Sequence, residues 1–266
     1  MRNAYLGMRQ GDLDGKPYAR YWNPEMAPLP EPARQALARG AEAPELGFPV
    51  EEADRLLDPG HLPLETGFTR LANGQVFVAV LTRMPGVRHE MIDWWMGWHY
   101  QESQRYKLWH PRAHLANRAE RMVGDDPGLS DREKYLHNPN YVSEYVGPQR
   151  LDIVITFSAA SSVLDTARFE AAGVGTAVCG VVELQRPRIA IGRLLHLIRA
   201  TDDGCEMRSR FWLGATPLGE GRLGRFVAGR AAPLSQGRDL LVHCADEMNH
   251  LAGFLPALYA DYHPAA

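Results

Sequence analysis

The hydrophobic pattern of the chain becomes regular from residue 66 onward. Residues 75–83 (QVFVAVLTR) are a nearly continuous apolar run that ends at Met84-Pro85-Gly86, which predicts a buried strand. Residues 89–100 (HEMIDWWMGWHY) are long and unbroken enough for a helix carrying bulky aromatics. Residues 151–158 (LDIVITFS) predict a second strand, and 176–184, 188–198 and 205–213 predict three more. Thr201-Asp202-Asp203-Gly204 joins the last two as a hairpin, because Asp-Gly readily adopts the tight turn. Residues 237–262 then read as one long helix, with Leu240, Cys244, Leu251, Phe254 and Leu258 recurring at helical spacing. Pro256 is the expected site of a kink in it.

Antiparallel strands followed by one long C-terminal helix predict an α+β domain, with the helix laid across a curved sheet and a cavity between them. Residues 1–65 follow another pattern. Nine of the 19 prolines fall between Pro17 and Pro63, and proline both fixes φ and removes a donor. This stretch therefore allows neither a regular sheet nor a long helix, only short helices at 32–39 and 50–57. It still carries Tyr18, Tyr21, Trp22 and Phe48, which need a surface to cover. We expect an ordered arm or small helical subdomain, docked on its own chain or on a second subunit. No repeat of 20–50 residues, phosphate-binding glycine loop or nucleophile-elbow motif occurs.

Composition narrows the chemistry. Apolar residues make up 45% and charged residues 23% of 266 residues, which excludes a wholly disordered chain. Lys+Arg number 29 against 32 Asp+Glu, so no basic excess exists to neutralise nucleic acid. The N-terminus lacks an apolar segment behind a basic start, and no run approaches ~18 apolar residues. A cytoplasmic location with no membrane partner is expected. The three cysteines, Cys179, Cys205 and Cys244, form no C-x-x-C pair, which excludes a disulfide framework and a cysteine-rich zinc module. Any metal must be held by carboxylates and by some of the ten histidines.

Two pairs have the spacing for that. His110 and His114 stand four apart in Trp109-His110-Pro111-Arg112-Ala113-His114. With Pro111 in the first turn of a helix, His110 becomes its N-cap and His114 lies one turn in, so the imidazoles converge. His243 and Glu247 are again four apart, on the C-terminal helix. The bland readings are two histidines flanking a helix start and a His–Glu hydrogen bond on a helix face. Together the half-sites offer three nitrogens and one oxygen, a set suited to Zn²⁺ and acceptable to Mn²⁺, Fe²⁺ or Co²⁺. Glu144, expected just before a strand lining the same cavity, is a further ligand, a general base or a surface carboxylate. His196 falls on the inward face of its strand, as a satisfied core histidine or as a proton donor to substrate. Arg208 or Arg210 is expected to pair with Glu206. Four of six tryptophans (Trp94, Trp95, Trp98, Trp109) lie within 16 residues and mark either core or cavity mouth. His89 and His99 read as structural or surface residues.

Over roughly residues 65–260 the chain resembles the 2,4-diacetylphloroglucinol hydrolase family, which includes phloretin hydrolase. The likeness rests on the block from Trp94-Trp95 to His114 and on Glu144 after a Tyr-rich stretch. It also rests on His196 followed by EMRSRFWLG (206–214), and on His243 with Glu247. The resemblance implies zinc-dependent hydrolysis of a carbon–carbon bond between an acyl group and a phenolic ring. It implies a Bet v 1-like helix-grip catalytic domain, here residues 66–266, and an N-terminal segment, residues 1–65, used to form a homodimer. Metal ligands would come from His110, His114, Glu144, His243 and Glu247, with His196 as the nearby acid or base. The resemblance leads us to expect polar residues at 113 and 211, where this chain has Ala113 and Phe211. That difference points to a different acylphenol substrate. Two rival readings are a non-catalytic helix-grip carrier of an aromatic ligand and a non-hydrolytic metal enzyme acting on an aromatic polyketide.

Overall fold

The computed structural model describes residues 7–214 and 232–263; residues 1–6, 215–231 and 264–266 lie outside the description. Eight strands form one antiparallel sheet: β1 (Gly67–Arg70), β2 (Val76–Pro85), β3 (His114–Ala119), β4 (Asn140–Val146), β5 (Gln149–Ser158), β6 (Val174–Leu184), β7 (Ala190–Thr201) and β8 (Gly204–Leu213). Their order across the sheet is β1-β2-β8-β7-β6-β5-β4-β3. The helices are α1 (Glu31–Arg39), α2 (His89–Trp98), α3 (Ser103–Trp109), α4 (Asp131–Tyr135) and α5 (Leu234–Tyr262). Short 3-10 turns add Pro17–Tyr21 and Val50–Leu57. The architecture is α+β, and the β7–β8 hairpin turns at Asp202-Asp203 as expected, with Thr201 opposite Gly204.

The sheet is buried on both faces, which is why β2 reads as an unbroken apolar run rather than an alternation. Val76, Val78 and Val80 of β2, with Met207 and Phe211 of β8, pack with Leu241, Cys244, Met248 and Leu255 of α5. Phe77, Ala79 and Trp212 point the other way, into a second core with Phe48, Leu56, Leu57 and Leu64. The Trp212 indole donates to the Phe48 carbonyl at 2.7 Å, tying the Pro-rich segment to the sheet. The segment also reaches the first core, where Tyr18 meets Trp98 edge-on at 5.6 Å. Helix α5 runs through Pro256 as one element. Its close approach to β2 depends on Gly237, where a Cβ would lie 2.5 Å from Val76.

Three expectations change. Strands β1, β3 and β4 carry no obvious apolar pattern; in β4 the inward positions are Asn140, Val142, Glu144 and Val146, so two polar residues conceal the two-residue period. Glu144 therefore sits within a strand rather than before one. Glu206 pairs with neither Arg208 nor Arg210: Arg199 binds it at 2.5 Å, and His61 stands 3.0 Å away. Arg208 and Arg210, both fully buried, instead share Glu65, each at 2.5 Å. Arg199 stands directly opposite Glu206 in the β7–β8 register and takes it, while Glu65 of the Pro-rich segment takes both guanidinium groups. The tryptophans are mainly core: Trp94, Trp95 and Trp98 pack among themselves and against Tyr259, Phe254 and Tyr262, and Trp109 borders the cavity.

Burial alone would raise the Glu65 carboxyl, but Arg210 and Arg208 outweigh it and hold the group below its ordinary range. Glu65→Ala should cost about 3–5 kcal/mol in denaturant unfolding, because it strands two buried guanidinium groups. The stability from this depressed carboxyl should be complete above the unfolded pKa of about 4.3 and disappear as pH falls through the lower folded value.

Candidate active site

Helix α3 ends where His110 leaves helical geometry, at φ −138° and ψ 85°. Pro111 forces this, since the residue before proline avoids the α region. The amides of Ala113 and His114 both donate back to the His110 carbonyl, at 3.1 and 2.9 Å, closing a single turn. His114 then opens β3. The histidine pair thus converges across a turn that ends a helix, not on the face of a helix that begins there. Their ring centroids are 5.5 Å apart.

His114 is only 1% exposed. Its Nδ1 donates to the Tyr106 carbonyl at 3.0 Å, and its ring stacks on that of Tyr106 at 3.8 Å. Nε2 then carries a lone pair, and this atom is buried without a hydrogen-bond partner. It lies 3.4 Å from a Glu247 oxygen and 3.7 Å from a Glu144 oxygen. Glu144 reaches this point because its residue on β4 stands directly opposite His114 in the strand register. The Tyr106 hydroxyl donates to the same Glu144 oxygen. From α5, His243 places Nε2 3.6 Å from Glu247 and 4.0 Å from Glu144. Donor atoms of His114, His243 and Glu247 all lie within 4.8 Å of one another. His110 flanks this group, its ring stacked on His243 at 4.8 Å and its Nδ1 buried and unpaired.

The electrostatics suit a cation. Burial, opposed by Glu144 and reinforced by His243, pushes His114 down to about 3, so its imidazole is neutral. His110 is likewise pushed down, by burial first and then by its histidine neighbours. Glu247 is raised to about 8 by burial, with Glu144 and Asp246 adding to it and His243 opposing. Imidazole nitrogens and carboxyl oxygens match the donor preference of a divalent ion, and the unpartnered His114 Nε2 supplies a lone pair with no other use.

The group opens onto a cavity of about 530 Å³ between the sheet and α5. Its walls are largely apolar, including Val142, Ile153, Phe157, Leu194, Phe211 and Leu240. His196 also lines it, its Nδ1 2.8 Å from the Ser209 hydroxyl. Sequence reasoning missed three cavity residues: Tyr106, Asn117 and Asn140. Of the two readings open for His99, structural or surface, the structure bears out the first: it is buried and borders the cavity. His99 donates from Nδ1 to the Trp95 carbonyl at 2.8 Å, so Nε2 accepts from the Asn117 amide at 3.0 Å. Asn140 donates its amide to the Asn138 carbonyl at 2.8 Å. Both asparagines are thereby left with a buried, unpaired Oδ1. The available signal was polar residues at alternate positions, but it becomes readable only once β3 and β4 are known to be strands. Ala113 is buried and does not line the cavity.

The chain is similar to proteins of one family. The domain family described as the DAPG hydrolase PhiG domain matches residues 48–260. A 2,4-diacetylphloroglucinol hydrolase of Pseudomonas protegens is 33% identical, over 98% of this chain and 89% of its own length. A second 2,4-diacetylphloroglucinol hydrolase, from a Pseudomonas species, is 32% identical over 98% of this chain and 93% of its own length. A phloretin hydrolase of Eubacterium ramulus is 30% identical over 92% of this chain and 89% of its own length.

Elemental analysis of the purified chain should find stoichiometric divalent metal, absent from His114→Ala and His243→Ala. Because metal-free Glu247 keeps its proton up to about pH 8, metal binding at pH 7 should release a proton. Affinity should rise with pH to about 8 and then level off. Calorimetry in buffers of different ionisation enthalpy measures this directly.

Proposed function

The chain belongs to the 2,4-diacetylphloroglucinol hydrolase family, and from that premise we propose that it is a metal-dependent hydrolase cleaving the carbon–carbon bond between an acyl group and a phenolic ring. The products are a carboxylic acid and the deacylated phenol. The observation that carries the reading is a buried two-His, two-Glu group facing a largely apolar cavity. His114, Glu144, His243 and Glu247 would hold the metal, with His110 stacked on His243. A zinc or other divalent ion bound there supplies Lewis-acid polarisation of a carbonyl and of water.

The remaining work falls to the chain. The apolar walls take the ring and exclude bulk water. The Asn117 carbonyl accepts from a ring hydroxyl and orients the ring. The Tyr106 hydroxyl donates to Glu144 and aims it. His196, which also lines the cavity, meets oxygen on which negative charge develops. Water adds its oxygen to the acyl carbon and its proton to the ring carbon. The ring carbon leaves most easily from the keto tautomer, because its electron pair can then be held on ring oxygen. The rest of the reading is a Bet v 1-like helix-grip scaffold for residues 66–266, with the Pro-rich segment 1–65 serving a homodimer in the cytoplasm. Among the described residues no helix is long and apolar enough to cross a membrane.

A panel of acylphenols incubated with zinc-loaded protein should yield the acid and the deacylated phenol, and chelation or His243→Ala should abolish turnover. Binding without product would identify a carrier instead, and oxygen consumption would identify an oxidative enzyme. Asn117→Ala should raise KM about tenfold for substrates with a free ring hydroxyl, the loss of one hydrogen bond, with little effect on O-methylated analogues.

A further inference from the structure

We propose that Ser209 is a positioning residue that holds the His196 proton on Nε2, so that His196 meets substrate as a neutral hydrogen-bond donor rather than as an acid or base. The inference rests on the hydrolase reading above, since it assigns His196 a task in the same cavity.

Ser209 lies on β8 directly opposite His196 on β7. It is fully buried, and its hydroxyl is 2.8 Å from His196 Nδ1. A serine hydroxyl has one proton to give. Among the described residues, its side chain has one nitrogen or oxygen partner, and that partner is Nδ1. If Nδ1 carried the ring proton, the hydroxyl proton would be left buried with only sulfur to receive it. The Cys244 thiol is a further hydrogen-bonding neighbour of the Ser209 hydroxyl, but thiol sulfur is a weak acceptor and imidazole nitrogen is a strong one. Proton counting therefore sends the Ser209 hydrogen to Nδ1 and leaves the imidazole proton on Nε2. Phe211 meets the His196 ring edge-on, with centroids 5.6 Å apart and planes at 80°, which restrains ring rotation.

An imidazole fixed this way has little capacity for proton transfer. Nδ1 is occupied by an incoming hydrogen bond and cannot act as base without breaking it. Burial also pushes His196 down to about 4, so it carries no second proton at neutral pH. A neutral imidazole is too weak an acid to protonate the departing ring. What it can offer is a preorganised N–H at oxygen that gains charge as the bond breaks, an effect that strengthens in a dry cavity.

The test uses the full-length, metal-loaded protein. Side-chain ¹⁵N NMR without substrate should find His196 as the Nε2–H tautomer, with no protonation down to about pH 5. Ser209→Ala should shift that signal toward a tautomer mixture and lower kcat about tenfold, as loss of a supporting shell does, with KM little changed. His196→Gln, which can still donate an N–H, should lose less activity than His196→Ala. An Nδ1–H tautomer in the wild type would overturn the proposal. So would a Ser209→Ala protein with unchanged tautomer and kcat, or a His196→Gln protein as inactive as His196→Ala. A wild type showing the Nε2–H tautomer but hydrolysing no acylphenol would sink the hydrolase reading while leaving the hold of Ser209 on the tautomer intact.

Discussion

Two carboxylates and two imidazoles meet at one point in this protein, largely out of reach of water. Isolated, that arrangement is unfavourable: burial raises one carboxyl, and the second carboxylate beside it raises it further. The chain tolerates it because each group is held from behind. The Tyr106 hydroxyl binds Glu144, the Tyr106 carbonyl fixes the tautomer of His114, and one helical turn sets His243 against Glu247. Tyr106 thus aligns an imidazole and a carboxylate from two adjacent strands at once. A divalent ion would relieve the remaining frustration, which is why the group reads as a metal centre rather than an ordinary ion pair.

The sheet makes this affordable by keeping two polar systems apart. Strand β8 alternates Met207, Ser209 and Phe211 toward α5 with Glu206, Arg208 and Arg210 toward the Pro-rich segment. The outward residues form ion pairs with Arg199 and Glu65. The inward ones build the cavity wall and orient His196. Each buried charge thus has its partner on its own side, so the cavity can stay mostly apolar around a few directed groups. The ion pairs of the outer face also explain how a proline-rich segment with little regular structure becomes an ordered layer.

Substrate discrimination falls on the polar atoms of the cavity. Phe211 places an apolar edge beside His196, and Ala113 contributes nothing to the wall. Among the lining residues, Asn117 and Asn140 on β3 and β4 each carry an unpaired carbonyl oxygen. Each amide nitrogen has one partner, and each Oδ1 has none.

The sequence by itself determined the long elements and the chemistry of the site. Strands β2 and β5 to β8, helix α5 and the His243–Glu247 pair follow from periodicities that local geometry enforces. Imidazole and carboxylate as the only available ligands follow from the cysteine count. Tertiary structure decided the rest. Register, not spacing, brings Glu144 opposite His114, and a proline-terminated turn, not a shared helix face, brings His110 to His114. Strands β3 and β4 were illegible because their inward positions carry Asn and Glu, which look like loop residues until partners fill the inner face. The partner of Arg208 and Arg210 likewise came from about 145 residues away in Glu65. Local pattern records how a residue sits on its own element; which residues face one another across a cavity depends on strand pairing and packing, and those are set by contacts between distant parts of the chain.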